Sequence, residues 1–401
     1  MPRPFSQKNT RASCLVVEPQ DRPRVISLSE PIVGEPEKEA LCAVIDSNWL
    51  TMGDRVTQFE RAFADLHGTS DAVAVSSCSA GLHLCLAALD VGPGDEVLVP
   101  SLTFVATANA VLYSGASPVF VDIENQDLPH ISLADAAAKC TPRTKAVIVM
   151  HYGGYLVDLP AWRSFAHERR LVLIEDAAHA PIAGEAGVRS DAAAFSFFAN
   201  KNMTTAEGGM VLARERSVLD RIRQMRSHGM TTGTLDRHRG HAYSYDVTAL
   251  GYNYRMDELR ASMGAVQLKR LPEWNNRRRE LSVQYRENIA AALPEVAIPF
   301  AREHKTDSHL MPVLLPATAN REKLMAELRE AGIQTSIHYP PVHFFSYYRN
   351  RFPGVRIPKT EEFCSRELTL PLHPSMTQTD VDRVIESLKR ALHDRLKSIE
   401  L

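Results

Sequence analysis

The feature that most constrains the fold is an alternation of short apolar segments with helical segments between residues 71 and 213. The segments that read as strands are Asp71–Val75, Glu96–Val99, Pro118–Ile123, Ala146–His151, Leu171–Glu175, Ala192–Phe198 and Met210–Ala213. Helices are predicted between them, through Leu89 and from Thr103 to Ser114. Strands and helices in alternation predict an α/β fold with a mainly parallel sheet sandwiched by helices.

Helical patterns flank this core, and a different pattern follows it. Helices are predicted at Pro36–Ala43 and Val56–Leu66, and a long one at Asp257–Leu293, broken or bent near Pro272. The chain after Pro294 predicts a strand, a helix, a strand and a closing helix, at His309–Leu315, Arg321–Ala331, Gln334–Tyr339 and Thr379–Leu396. We therefore expect a flexible tail at 1–25, a large α/β domain at 26–285 and a smaller α+β domain at 286–401.

Composition narrows the classes of function. The 401 residues have a formal net charge of -2 and no long basic run, which argues against nucleic acid as a partner. The apolar runs fall short of the roughly 18 residues that span a bilayer, and the N-terminus does not resemble a signal peptide. The six cysteines form no C-x-x-C pair that would indicate zinc or a disulfide framework. We expect a protein of the reducing cytoplasm without a membrane partner.

Lys201 is the first candidate for chemistry. Most lysines are solvated surface charges, because the ammonium is costly to bury. Lys201, however, follows the apolar segment Ala192–Phe198 and precedes a loop rich in Thr and Gly, so it should lie where a strand ends. Ligands of open α/β sheets bind beyond such strand ends. A partly desolvated lysine has a lowered pKa, and its neutral amine can form a Schiff base with a carbonyl group.

Other candidates each have a structural alternative. The segment Ser77–Gly81 joins a strand to a helix, where it could bind an anion or simply cap the helix. Asp176 closes a strand and could hold a proton on a pyridine nitrogen or cap a helix. Phe104 could stack on a ligand or belong to the core, and Asn253 could be a turn residue. A basic loop, His228–His241, could contact a substrate phosphate or be solvated.

No competing catalytic signature is present in the sequence. It has no G-x-S-x-G elbow, no G-x-x-x-x-G-K-[ST] loop and no H-E-x-x-H motif. The segment Gly92-Pro93-Gly94 lacks the third glycine of a dinucleotide-binding fingerprint. His151 and His179 lie near strand ends, but neither has a second ligand at a recognised metal spacing. We therefore expect no metal site.

Taken together, the motifs resemble the DegT/DnrJ/StrS family of sugar aminotransferases, which are pyridoxal-phosphate enzymes of fold type I. The resemblance runs from about Ile26 to Leu392, and the motifs occur in the order of the family. They are Trp49-Leu50-Thr51-x-Gly53, Ser77 to Leu84, Gly92 to Val97, Pro100-x-x-Thr103-Phe104-x-Ala106-Thr107, Glu175 to Ala180, Ser196-Phe197-x-x-x-Lys201-Asn202, Glu207-Gly208-Gly209, Gly251 to Met256 and His338-Tyr339-Pro340.

The resemblance implies a role for each matching position. Lys201 matches the lysine that binds pyridoxal 5'-phosphate and moves the proton, and Asp176 matches the carboxylate on the ring nitrogen. Phe104 matches the residue stacked on the ring, and His179 a Gln-or-His position beside it. The matches to phosphate contacts are Ser79, Ala80, Ser196 and, from the neighbouring subunit of a homodimer with shared active sites, Asn253. Cys78 is a further cofactor-binding position. The matches to substrate contacts are Thr51, Gly53, His338 and Tyr339.

Two departures from the family pattern are conservative. Cys78-Ser79 stands where many members have Gly-Thr, and Ala199-Asn200 replaces a commoner Pro-Gly pair. A branch that replaces the lysine with His carries out dehydration, so Lys201 favours transamination. We expect amino transfer from glutamate or glutamine to a keto sugar, nucleotide-linked. The alternatives are a cyclitol or other non-nucleotide ketone as acceptor, a pyridoxal-phosphate lyase of the same fold, or a non-catalytic binding protein.

Overall fold

A seven-stranded sheet forms the centre of the computed structural model, which describes residues 24–182, 185–231, 244–300 and 304–393. The strands are β1 (Val73–Val75), β2 (Glu96–Pro100), β3 (Ser117–Val121), β4 (Thr144–Met150), β5 (Val172–Asp176), β6 (Ala192–Ser196) and β7 (Gly209–Ala213). Their order across the sheet is β1-β7-β6-β5-β4-β2-β3. The pairings of β2 to β6 are parallel, whereas β7 is antiparallel to both of its neighbours. The predicted mainly parallel sheet is confirmed.

Helices cover both faces of this sheet. They are α1 (Glu35–Asp46), α2 (Asp54–His67), α3 (Cys78–Ala88), α4 (Val105–Tyr113), α5 (Leu133–Lys139), α6 (Leu159–Arg169) and α7 (Arg216–Met225). Strand β6 shows why the sheet is buried on both sides: Ala192 and Ala194 pack in the cluster that contains α3, whereas Phe195 packs with Phe59 and Phe63 of α2. Successive side chains of a strand point to opposite faces, so a strand covered on both faces must be apolar throughout.

A long helix follows the strands of the sheet in the chain and contributes to a second hydrophobic core. Helix α8 (Glu258–Ala292) continues through Pro272, so of the predicted break or bend the break does not occur. Its first half packs against α1 and α2. Its second half brings Leu281, Tyr285 and Ile289 into a separate cluster.

That cluster joins α8 to the C-terminal elements and to Ile26. The elements in this cluster are β8 (Met311–Leu314), α9 (Arg321–Glu330), β9 (Glu367–Leu370) and α12 (Gln378–His393). The two remaining helices, α10 (Ser346–Arg351) and α11 (Pro358–Arg366), pack in other clusters. We propose that this cluster is the core of the smaller domain and that the boundary lies near residue 285. The expected tail falls almost entirely on residues outside the described ranges. None of the described helices has the length and apolar character needed to cross a membrane.

The partner of β8 differs from the sequence prediction. Gln334–Tyr339 is not a strand; β8 pairs instead with β9, which the sequence analysis missed. Ser336 still exchanges two backbone hydrogen bonds with Thr369, but the next available donor, the N–H of His338, binds the side chain of Glu367 at 2.9 Å. The ladder therefore ends where a carboxylate replaces a backbone carbonyl.

Candidate active site

Three neighbouring parallel strands end at the same edge of the sheet. Met150 at the end of β4 pairs with Asp176 at the end of β5, and Asp176 pairs with Ala194 of β6. Because parallel strands end at one edge, the residues that follow them meet there. Lys201 lies in the turn after β6, and its backbone N–H donates to the carbonyl of Phe198 at 2.9 Å.

Lys201 is partly buried at this edge. Burial lowers the pKa of its amine to about 8, although the neighbouring Asp176 and Cys78 favour the charged form. A lysine with this pKa carries an appreciable neutral fraction near neutral pH, which an ordinary surface lysine does not. The amine is therefore suited both to attack a carbonyl and to exchange protons.

Asp176 is held by two hydrogen bonds. Thr107 donates its hydroxyl to Oδ2 at 2.6 Å, and the backbone N–H of Ala178 donates to Oδ1 at 3.1 Å. Burial raises the pKa of the carboxyl, and these two donors and the charge of Lys201 act in the opposite direction. Thr107 lies in the first turn of α4, and Phe104 is the N-cap of the same helix. Helix α4 thus positions both Asp176 and Phe104.

Phe104 is not a core residue. Its side chain is 54% exposed, and its ring centroid lies 5.8 Å from that of Tyr339. An exposed aromatic ring on the helix that also binds Asp176 is placed to stack on a planar ligand. The structure therefore removes the core alternative for this residue.

His179 is a neutral hydrogen-bond donor to Tyr339. Its Nδ1 accepts the backbone N–H of Gly153 at 3.2 Å, so this nitrogen carries a lone pair. Burial and the charge of Lys201 lower the pKa of the ring well below its usual range. The single proton of the neutral ring is then on Nε2, which lies 2.9 Å from the hydroxyl of Tyr339 and donates to it.

A second histidine, which the sequence analysis missed, lies against the first. The rings of His309 and His179 are 4.3 Å apart, and His309 Nδ1 lies 2.7 Å from Asn202 Oδ1. Asn202, next to Lys201, donates its amide to Asn275 Oδ1 at 2.8 Å and to the Asp307 carbonyl at 2.9 Å. Its Oδ1 must therefore accept from His309. The polar run Asp307-Ser308-His309 before an apolar strand was the available sequence signal.

The first turn of α3 meets the same edge of the sheet. Ser77 is the N-cap and accepts the backbone N–H of Ala80 at 3.2 Å. The buried Cys78 thiol donates to the Ala194 carbonyl at 3.5 Å, whereas Ser79 is partly exposed. A Cβ at Gly209 would lie 2.7 Å from the Cys78 nitrogen, so glycine is needed for the helix to approach β7. The start of a helix is a favourable place for an anion.

Ser196 and the remaining predicted residues differ in their exposure and in their hydrogen-bond partners. The hydroxyl of Ser196, at the end of β6, accepts the backbone N–H of Phe198 at 3.4 Å. Thr51 and Asn253 are exposed, and the N–H of Gly53 donates to the carboxylate of Glu258 at 2.9 Å. Among the described residues, no hydrogen bond or ring contact joins these last three positions to Lys201. The single chain therefore does not bring them together.

A sequence profile of the DegT/DnrJ/EryC1/StrS aminotransferase family matches residues 31–389. The chain belongs to this family. It is 37% identical over 382 residues to the spore coat polysaccharide biosynthesis protein SpsC of Bacillus subtilis strain 168, with 92% of the chain and 98% of that protein covered.

Solved structures support the assignment to the DegT/DnrJ/EryC1/StrS family. The aminotransferase TlmJ from Streptoalloteichus hindustanus is 35% identical, with a TM-score of 0.85 over 92% of this chain and 99% of that one. DesI, solved in the presence of its TDP-sugar product, is 32% identical, with a TM-score of 0.83 over 95% and 96% of the two chains. Forms with pyridoxal phosphate and with its amine are also among the matched structures. The protein is a pyridoxal-phosphate-dependent aminotransferase, which confirms the predicted family, reaction class and cofactor.

The residues of this DegT/DnrJ/EryC1/StrS member fit the cofactor. The site offers a lysine amine of lowered pKa, a buried carboxylate for a ring nitrogen, an exposed aromatic ring beside it and a helix start for a phosphate. Bound pyridoxal phosphate supplies an electron sink for the carbanion formed during amino transfer. Within the described ranges, no three His, Cys, Asp or Glu side chains are arranged to hold a metal ion.

Proposed function

We propose that this enzyme moves an amino group from glutamate or glutamine to a nucleotide-linked keto sugar, in the cytoplasm, as part of amino-sugar biosynthesis. The observation that carries the proposal is the partly buried Lys201, whose amine has a pKa of about 8 beside the buried carboxyl of Asp176. The acceptor class is supported by the TDP-sugar product of DesI and by the polysaccharide pathway in the name of SpsC. The five described cysteines are free thiols, as in a reducing compartment.

In this proposal, Lys201 binds the cofactor. Its amine also carries the proton that passes from one carbon atom to another during amino transfer. Asp176 holds the proton on the ring nitrogen, since a buried carboxylate with two donors keeps a fixed position and charge. His179 fixes Tyr339, because its Nε2–H occupies an acceptor lone pair of that hydroxyl and leaves the phenolic proton free for the substrate.

We also propose that the site is completed by a second copy of the chain in a homodimer. The segments that carry the separated residues also carry exposed apolar side chains: Leu50 beside Thr51 is 50% exposed, and Leu250 near Asn253 is 76% exposed. Large apolar side chains that cluster on exposed segments are typical of protein interfaces. A partner subunit covering these segments would bring Asn253 to the cofactor phosphate.

The test is an amino-transfer assay with isotope-labelled donors. Glutamate or glutamine labelled with 15N is incubated with a set of nucleotide-linked keto sugars, free keto sugars and cyclitol ketones, and the products are identified by mass. We expect the label in a nucleotide-linked amino sugar. Label only in a free cyclitol amine would show that the acceptor is a cyclitol ketone and not a nucleotide-linked sugar. Release of ammonia from the donor with no aminated product would indicate a lyase.

A further inference from the structure

A chain of hydrogen bonds runs behind His338. His338 Nδ1 lies 2.8 Å from Thr369 Oγ1, and Thr369 donates this hydroxyl to Glu367 Oε1 at 2.5 Å. The other oxygen of the carboxyl group, Oε2, accepts the backbone N–H of His338 at 2.9 Å. All three side chains are buried, and strand β9 carries both Glu367 and Thr369. Strand β9 therefore fixes the hydrogen-bond partner of Nδ1, on one edge of the imidazole ring.

The protonation state of Glu367 determines which group donates each hydrogen bond in this series. An ionised carboxylate only accepts, so Thr369 donates to it and the hydroxyl oxygen accepts from His338 Nδ1–H. The neutral ring then has a lone pair on Nε2. A proton added to Glu367 goes to Oε1, because the hydroxyl of Thr369 can turn to accept it, whereas the backbone N–H at Oε2 can only donate. Glu367 then donates to Thr369, Thr369 donates to Nδ1, and the ring proton moves to Nε2.

We propose that Glu367 and Thr369 are positioning residues that select the tautomer of His338, so that Nε2 presents a lone pair when Glu367 is ionised and an N–H when it is protonated. The ring itself stays neutral, because burial and the charge of Lys201 lower the pKa of His338 to about 4. Burial raises the pKa of Glu367 to about 8. Both arrangements of the hydrogen bonds, and with them both tautomers of His338, are therefore populated close to neutral pH.

Several ionisable groups face this chain. Arg321 donates to the backbone carbonyl of Glu367 at 2.9 Å, and its charge opposes but does not cancel the effect of burial. The hydroxyl of Tyr152 donates to the His338 carbonyl at 2.6 Å and also lies beside the carboxyl of Glu367, whose pKa it lowers. The other groups whose charges act on Glu367 or His338 are Tyr339, Cys364, Lys201, His179 and His309. Of these, only Lys201 titrates in the same range as Glu367.

The selected tautomer matters because amino transfer has two different substrates. This part of the inference rests on the proposed function and on the predicted contact of His338 with the substrate. The carboxylates of an amino acid donor only accept hydrogen bonds, so they require Nε2–H. The hydroxyls of a sugar can also donate, so they can bind a lone pair on Nε2. A histidine that can present either form serves both half-reactions without a change in its charge.

The test is 15N NMR of the holoenzyme labelled with 15N-histidine, with His338 assigned by comparison with His338→Gln. In the wild type, the Nε2 resonance should move from the protonated to the unprotonated range as the pH rises through about 8. Glu367→Gln should keep Nε2–H at every pH, because the amide oxygen takes the backbone N–H and the amide NH2 donates to Thr369. Thr369→Ser should retain the pH response, and Thr369→Val should lose it.

The inference is overturned if the tautomer of His338 is the same at every pH in the wild type, or if Glu367→Gln titrates like the wild type. Because Glu367→Gln leaves Lys201 unchanged, the comparison separates the two groups that titrate together. If the glutamine variant does not fold, the wild type and the two Thr369 variants decide the result. The NMR readout does not depend on turnover, so failure of the amino-transfer assay would refute the proposed function and leave the hydrogen-bond chain standing.

Discussion

The hydrogen bond from Thr107 to Asp176 makes a quantitative prediction. A hydrogen bond to a charged group contributes about 1.5–3 kcal/mol, and Thr107→Val removes the shorter of two donors without changing the side-chain volume much. Because Thr107 favours the ionised carboxyl, its loss should raise the pKa of Asp176 further. The free energy of unfolding of the apoprotein at pH 8 should therefore fall by about 1.5–3 kcal/mol.

The effect should depend on pH in a defined direction. The pKa of Asp176 is already raised in the folded protein, so the stability that this group contributes is present at acid pH and lost as the pH rises through the folded value. Once the carboxyl is protonated, Thr107→Val removes only a neutral hydrogen bond, about 0.5–1.5 kcal/mol. The matched control is Thr103→Val, which removes the buried hydroxyl 2.7 Å from that of Thr107 and should cost a similar small amount at both pH values. Urea titrations that give equal costs for Thr107→Val at acid pH and at pH 8 would refute this reasoning.

Three further predictions concern the cofactor site. Asp176→Asn should fold but slow the proton-transfer step by several orders of magnitude, and recovery of activity with excess pyridoxal phosphate would show that Asp176 only contributes affinity. Gly209→Ala places a Cβ 2.7 Å from the nitrogen of Cys78, so cofactor titration should give a Kd at least about tenfold higher; an unchanged Kd would contradict the proposed phosphate site at α3. Mixed subunits of Lys201→Ala and Asn253→Glu should regain activity that neither parent has, and verified heterodimers without activity would show that Asn253 does not act across the interface.

The sequence located the residues that follow strand ends, because an apolar strand and the turn after it are both local patterns. Lys201 and Asp176 were found in this way, and the parallel order of β5 and β6 brings their side chains to one edge. Their supporting residues could not be predicted by the same reasoning. Thr107 ends one of the matched motifs, but its contact with Asp176 spans 69 positions of the chain, so no local pattern indicates the contact.

The C-terminal part of the chain was predicted less well, because its contacts are between side chains and distant backbone groups. Gln334–Tyr339 has the composition of a strand, but the carboxylate of Glu367 takes the N–H of His338 and ends the ladder. The segment Glu-Leu-Thr-Leu of β9 is too short, and too similar to the helix before it, to stand out as a strand. The contacts that Arg237 and His238 could make with a substrate lie outside the described residues.

The most direct test of the account is to locate the covalent attachment of the cofactor. The purified enzyme, loaded with pyridoxal phosphate and reduced with borohydride, is digested and mapped by mass spectrometry, and Lys201→Ala is assayed beside it. The account predicts that the cofactor is found on the peptide that contains Lys201 and that Lys201→Ala has no steady-state amino transfer. Attachment to a different lysine, or turnover of Lys201→Ala close to that of the wild type, would contradict it.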